Sequence, residues 1–101
     1  MSPRSPTVVL SGELDMYGAP AVRRLLDAIT GPGAVDMREV RYLDASALTE
    51  LVRVARRVGA RQVTLLVASK NVRKVLDIVG FDEIFTIVDV SRSALGTLAS
   101  A

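Results

Sequence analysis

The 101-residue sequence contains no cysteine, no histidine and no tryptophan. Without cysteine there can be no disulfide, no thiolate metal ligand and no thiol nucleophile, and the composition suits a reducing compartment. Without histidine, the usual general base near neutral pH and the commonest metal ligand are both missing. A Ser-His-Asp triad cannot be assembled. Catalysis would have to rest on carboxylates, lysine or serine, and no paired carboxylates stand at a recognisable spacing. The residue types therefore point away from an enzyme, and no metal or cofactor is expected. Aromatic residues are scarce too, with two Phe and two Tyr. The core must be built from Val, Leu, Ile and Ala.

Charge of one sign is also in short supply. Thirteen basic residues face eleven acidic ones, for a net charge of +2. That excess is too small to argue for nucleic acid. Arg23, Arg24, Arg53, Arg56, Arg57, Lys70, Arg73 and Lys74 are spread along the chain, with no aromatics between them to stack bases. They read as solvated helix faces. No apolar run approaches the roughly 18 residues of a membrane span. Residues 1–6 (MSPRSP) are polar and proline-rich, with no apolar segment behind them like that of a secretion signal. The expectation is a soluble, cytoplasmic protein without membrane insertion.

What is present suffices for one globular domain. Half of the residues are hydrophobic and 24% are charged. Pro3 and Pro6 suggest a flexible N-terminal arm over residues 1–6, ahead of a domain over 7–101. Thr7 to Ser11 is β-rich and ends at Gly12. Pro20 suits the first turn of a helix with the stripe Val22, Leu25, Leu26 and Ile29, which Gly31-Pro32-Gly33 stops. Ala34 to Met37 reads as the next strand, extended toward Tyr42. Leu48, Leu51, Val52 and Ala55 mark a second helix, with Gly59 at its end. Val63 to Ala68 is nearly all apolar, as in a strand covered on both faces. Ser69 can cap a third helix with the stripe Val72, Val75, Leu76 and Val79, closed by Gly80. Ile84 to Val88 forms a last strand, and Ser91 to Ala99 a possible final helix. Strands and helices alternate, which predicts an α/β domain with a small mixed or parallel sheet and flanking helices.

The segment most suggestive of function is Asp44-Ala45-Ser46, where an extended stretch turns into the second helix. A Ser or Asp there can cap the helix by accepting a backbone N–H bond. Alternatively, Asp44 caps and Ser46 stays free to accept a phosphate, a dianion that the positive end of a helix tolerates. The same tip could bind a nucleotide or another anion. Gly12-Glu13-Leu14-Asp15 lacks the repeated glycines and the lysine of a phosphate loop. Acid residues after strands, with Ser69-Lys70, superficially suggest a Mg²⁺-binding phospho-aspartate receiver, but the chain is short for that fold. Phe81 and Phe85 read as core.

Three stretches together resemble one family. They are Gly12-Glu13-Leu14-Asp15 followed by Ala19-Pro20; Val35 to Leu48 (VDMREVRYLDASAL); and Val72 to Asp82 (VRKVLDIVGFD) with Phe85. In this order and spacing, from about Thr7 to Val88, the chain resembles a STAS-domain anti-sigma factor antagonist. The resemblance implies a module that binds an anti-sigma factor with serine kinase activity while unphosphorylated. That kinase would phosphorylate the module with ATP, and a phosphatase would reset it. By motif position the phosphorylated serine is Ser46, and partner contacts fall on Asp15, Asp44, Ala45, Ser46 and Ala47. Ala45 stands where the family has a first Ser, and Ala47 where it has Gly. The family also has a strand before the one at Thr7, so the domain is expected to lack its first strand or to have a partner cover that edge. The alternative is a non-switching STAS subunit of another assembly, such as an ABC-transporter complex. The oligomeric state is not implied either way.

Overall fold

Alternating two-residue and helical periodicities become strand and helix in turn along this chain. The structure, a computed structural model, describes residues 5–90. In chain order it contains β1 (Thr7–Leu14), α1 (Ala19–Leu26), β2 (Gly33–Leu43), α2 (Ala45–Val58), β3 (Val63–Val67), α3 (Lys70–Ile78) and β4 (Thr86–Asp89). A 3-10 turn at Phe81–Glu83 leads into β4. The proposed final helix at Ser91 to Ala99, and most of the N-terminal arm, lie outside the described residues. Of that arm, Pro6 already joins the sheet, its carbonyl accepting the Ala34 N–H at 2.9 Å.

The four strands run parallel in the order β1-β2-β3-β4. Sequential parallel strands joined by right-handed crossovers place all the connecting helices on one face. Burial follows the same rule. Val8, Leu10 and Leu14 of β1, Val35, Met37, Val40 and Leu43 of β2, and Val63, Leu65 and Val67 of β3 are buried on that face. On the other face Val9 is 60% exposed, while Thr64 and Leu66 are half-buried. The apolar run of β3 is thus covered fully on one face only, among the described residues. No strand pairs with the outer edge of β1 there either.

The buried positions of β2, at 35, 37, 40 and 43, do not alternate strictly, and the reason is register. Val9 pairs with Asp36 but Ser11 with Glu39, and Gly12 pairs with Val40 but Glu13 with Tyr42. Each shift is one extra residue in β2. A one-residue slip turns side chains to the opposite face, so each bulge returns the next apolar residue inward. Gly12 lies at the second bulge with φ +80°, a left-handed value that glycine adopts without steric cost. It sits within β1 rather than ending it, as the sequence reading expected.

α1 is shorter than its stripe. It ends at Leu26, well before Gly31-Pro32-Gly33. Ile29 is fully buried in the following turn, whereas Leu25 is 49% exposed. Arg57 Nη2 donates to the Leu26 carbonyl at 3.0 Å, a second bond to an acceptor that also takes the Ile29 N–H at 3.0 Å. Arg57 is exposed, as expected of a solvated helix face, and also ties α2 to the end of α1. In α3, Val72 and Leu76 are buried, but Val79 is 45% exposed and caps the end. Phe81 and Phe85 are core, as expected, with ring centroids 5.2 Å apart.

One buried charge stands on the open side of the sheet. Asp36 is 9% exposed and accepts from Arg38 Nε at 2.9 Å, Nη2 at 2.8 Å and the Arg38 backbone N–H at 3.1 Å. These bonds hold its carboxyl below the ordinary value of 3.8, against the opposing effect of burial. A depressed folded-state pKa stabilises the fold above the unfolded value, and the contribution is lost as pH falls through the folded value. Asp36→Asn is therefore expected to melt below wild type at pH 7, with the gap narrowing as pH falls below 3.8 in a series of thermal melts. Leu51→Ala, which empties a fully buried site on α2, is expected to cost about 2–5 kcal/mol by urea denaturation.

Candidate functional site

Because all four strands are parallel, their carboxyl ends share one edge, where α/β folds place their sites. β1 delivers Asp15 to that edge, β2 delivers Asp44 and β3 leads to Ser69. Leu14 and Leu43 are register partners. The Asp44 N–H donates to the Leu14 carbonyl at 3.0 Å. The start of α2 is thus tied directly to the β1–α1 turn.

Asp44 is the N-cap of α2, with extended backbone. Its Oδ1 accepts the Ser46 N–H at 2.9 Å, the Ala47 N–H at 3.2 Å and the Ser46 hydroxyl at 2.5 Å. The hydroxyl bond is the first cause holding the Asp44 carboxyl below its ordinary value of 3.8. Desolvation opposes it, and backbone N–H groups of Ala47, Ser46 and Met16 reinforce it. The two proposed uses of this segment are therefore divided. Asp44 caps the helix, and Ser46 lies two residues beyond the cap, half-buried, with its hydroxyl aligned on the carboxylate. The N–H groups of Ser46 and Ala47 are engaged by Asp44, so a phosphate on Ser46 would meet a carboxylate rather than empty donors.

The other named residues fall in distinct places. Asp15 folds the β1–α1 turn, its Oδ1 accepting from the Tyr17 N–H at 3.1 Å and the Gly18 N–H at 3.2 Å. Ala45 is exposed at the first turn of α2. Ala47 is fully buried, and its methyl is part of the hydrophobic core. A partner contact through the Ala47 side chain is thus corrected: a helix turns the third position beyond the cap toward the sheet. No cluster of three or more acidic residues able to hold a metal ion occurs among the described residues. None of their helices is long and apolar enough to cross a membrane.

Two residues escaped the sequence reading. Met16 and Tyr17, in the β1–α1 turn beside the Asp44 cap, are 63% and 87% exposed. Large apolar side chains in a tight turn serve no core, and aromatics are enriched where binding energy concentrates. Their position between Asp15 and the Pro20 helix start was the available signal.

The architecture defines a one-domain parallel α/β module with a polar helix tip at the carboxyl edge of its sheet. A family model described as "Mlab, STAS domain" matches residues 1–89, and the chain belongs to the STAS-domain family. Solved structures share the fold. An anti-sigma factor antagonist from Mycobacterium paratuberculosis has a TM-score of 0.74 at 19% identity, covering 100% of this chain and 91% of that one. The Bacillus cell fate determinant SpoIIAA, in its phosphorylated form, has a TM-score of 0.57 at 19% identity, covering 97% of this chain and 95% of that one. A sulfate transporter family protein from Wolinella succinogenes has a TM-score of 0.57 at 18% identity, covering 100% and 93%. Among curated proteins none is a significant match.

The geometry makes Asp44 the organising residue of the tip. Asp44→Ala is expected to lower the melting temperature at pH 7 and to speed amide hydrogen exchange at Ser46 and Ala47. Asp44→Asn keeps an acceptor but no charge and should fall between. Since the folded Asp44 carboxyl titrates below 3.8, the wild-type advantage is full above that value and disappears as acid protonates the folded group. Melts of the three proteins from pH 7 to pH 3 check this.

Proposed function

We propose that this chain is an anti-sigma factor antagonist that docks on an anti-sigma factor with serine kinase activity and is switched off by phosphorylation of Ser46. The observation that carries the reading is the Ser46 hydroxyl at the α2 tip, hydrogen-bonded to Asp44 at 2.5 Å. Asp44 in turn accepts from the backbone of Met16, which with Tyr17 is exposed in the β1–α1 turn. Fold neighbours described as an anti-sigma factor antagonist and as a phosphorylated SpoIIAA support it. The domain itself is not an enzyme. In the transfer, Ser46 Oγ bonds to the γ-phosphorus of ATP, the bridging P–O bond breaks, ADP leaves, and the hydroxyl proton passes to a base on the kinase. A phosphatase hydrolyses the ester to reset the cycle. Since ATP drives the step, the protein works in the cytoplasm.

The switch follows from electrostatics. A phosphoserine carries about −1.5 to −2 charge at pH 7. On Ser46 it adds that charge beside the Asp44 carboxylate, at a helix end where Asp44 already takes the Ser46 and Ala47 N–H groups. The result is local repulsion together with a strongly hydrated dianion in the docking face, and like charges and desolvation both oppose association. Asp15 supports the same face by shaping the turn that presents Tyr17. Ala45 offers an exposed neighbour without a hydroxyl, so Ser46 is the single acceptor in the Asp44-Ala45-Ser46 segment.

A second reading, a non-switching STAS subunit of a transporter complex, is favoured by the sulfate transporter family fold neighbour. Incubation with the cognate kinase and ATP separates the two. The switching reading expects one phosphate, mapped to Ser46 and absent from Ser46→Ala. It expects Ser46→Ala to bind the kinase as wild type does, and Ser46→Asp to bind about tenfold more weakly. An unmodified Ser46 in a chain that also fails to bind the kinase would falsify the switch.

A further inference from the structure

The outward side of α2 carries a second surface beyond its tip. Thr49, Val52, Arg53 and Arg56 line one shallow cavity of about 190 Å³. Val52 and Arg56 also line its neighbour of about 280 Å³, which is floored by Ala55 and Ile84 and continues past Gly59. Sharing those two residues, the cavities form one groove. From Thr49 to Gly59 it follows α2 for about 15 Å at the rise of a helix, close to three turns of a second helix.

The lining has one chemistry. Its floor is aliphatic, and its rim carries two guanidinium groups and no carboxylate. Arg53 is shared with Glu50 at 3.2 Å and stays 49% exposed, while Arg56 makes no ion pair among the described residues. The two arginines are three residues apart on α2, which puts both on one side of the helix. No aromatic side chain lines the groove to stack a base.

We propose that this groove is the docking site of an amphipathic, acidic α-helix of a partner protein. The helix would seat aliphatic side chains at i, i+4 and i+7 over Val52, Ala55 and Ile84 and set carboxylates against Arg53 and Arg56. The inference rests on the reading of this chain as a partner-binding module. It places a second contact along α2 that begins about one turn from the Ser46 tip, so a partner can be gripped along α2 and gated at its N-terminus. A phosphate on Ser46 then needs to spoil only one end of a longer interface.

The test uses the full chain, labelled with ¹⁵N, and a synthetic alanine-based helical peptide with Leu at i, i+4 and i+7 and flanking Glu residues. Its control carries Lys in place of every Glu. The expected result is a set of amide shifts confined to Thr49–Ala60 and Ile84, saturating below about 1 mM peptide. Arg56→Glu should weaken binding at least tenfold, Val52→Asp should do the same through the floor, and added salt should weaken it further. The spectra themselves report whether each variant is folded. The proposal is overturned if the Lys peptide binds equally well, if the shifts map elsewhere, or if none occur. It is also overturned if phosphatidylglycerol vesicles or a DNA duplex produce the same Arg56-dependent shifts more strongly. The peptide involves no kinase and no ATP. Failure here leaves the Ser46 switch standing, and an unphosphorylated Ser46 leaves the groove standing.

Discussion

One carboxylate oxygen organises the helix tip at the carboxyl edge of this sheet. Asp44 Oδ1 gathers two backbone N–H groups and the Ser46 hydroxyl at the point where β2 becomes α2. Helix starts leave donors unsatisfied, and a side chain that satisfies them decides where the helix begins. Here the same atom also sets the direction of the only hydroxyl in the segment. The Asp44 backbone bond to Leu14 fixes this tip against the β1–α1 turn. The cap, the Ser46 hydroxyl and the turn that carries Met16 and Tyr17 are therefore tied together.

That surface depends on the sheet below it. The tip stands where it does because two bulges in β2 bring Leu43 into register with Leu14. Without them, Glu39 would turn toward the core in place of Val40 and Leu14 would pair with Arg41 instead of Leu43, so α2 would start two residues out of place against β1. Leu51, Val54 and Ala47 then hold α2 on the core. The proposed site at the edge is thus linked to packing in the middle. Changes to the core are expected to act on docking through the position of the tip, not through contact with a partner.

Much of this was legible in the residues. Helix stripes at three and four residues located α1, α2 and α3, and Gly59 and Gly80 marked helix ends because both adopt positive φ. The Asp44-Ala45-Ser46 junction was visible as a helix start, but which side chain caps was open. Only the geometry assigns the cap to Asp44. The bulges were hidden, since an irregular spacing of 35, 37, 40 and 43 resembles a frayed strand. The one-sided burial of β3 was hidden too, because Leu66 and Leu65 look alike in sequence. Arg57 and Asp36 were invisible for a different reason. Their partners, the Leu26 carbonyl and the Arg38 guanidinium, are chosen by tertiary approach and strand pleat, and charge counting alone does not register either.

The proposed switch is a reversible change of charge at one hydroxyl. Its most direct measurement is the intact mass of the chain purified from its native host, with and without phosphatase treatment, followed by mapping of the modified residue. The account predicts a singly phosphorylated fraction that phosphatase converts to the unmodified mass, with the phosphate on Ser46. A chain that carries no phosphate under any growth condition, or carries it on a different residue, would contradict it.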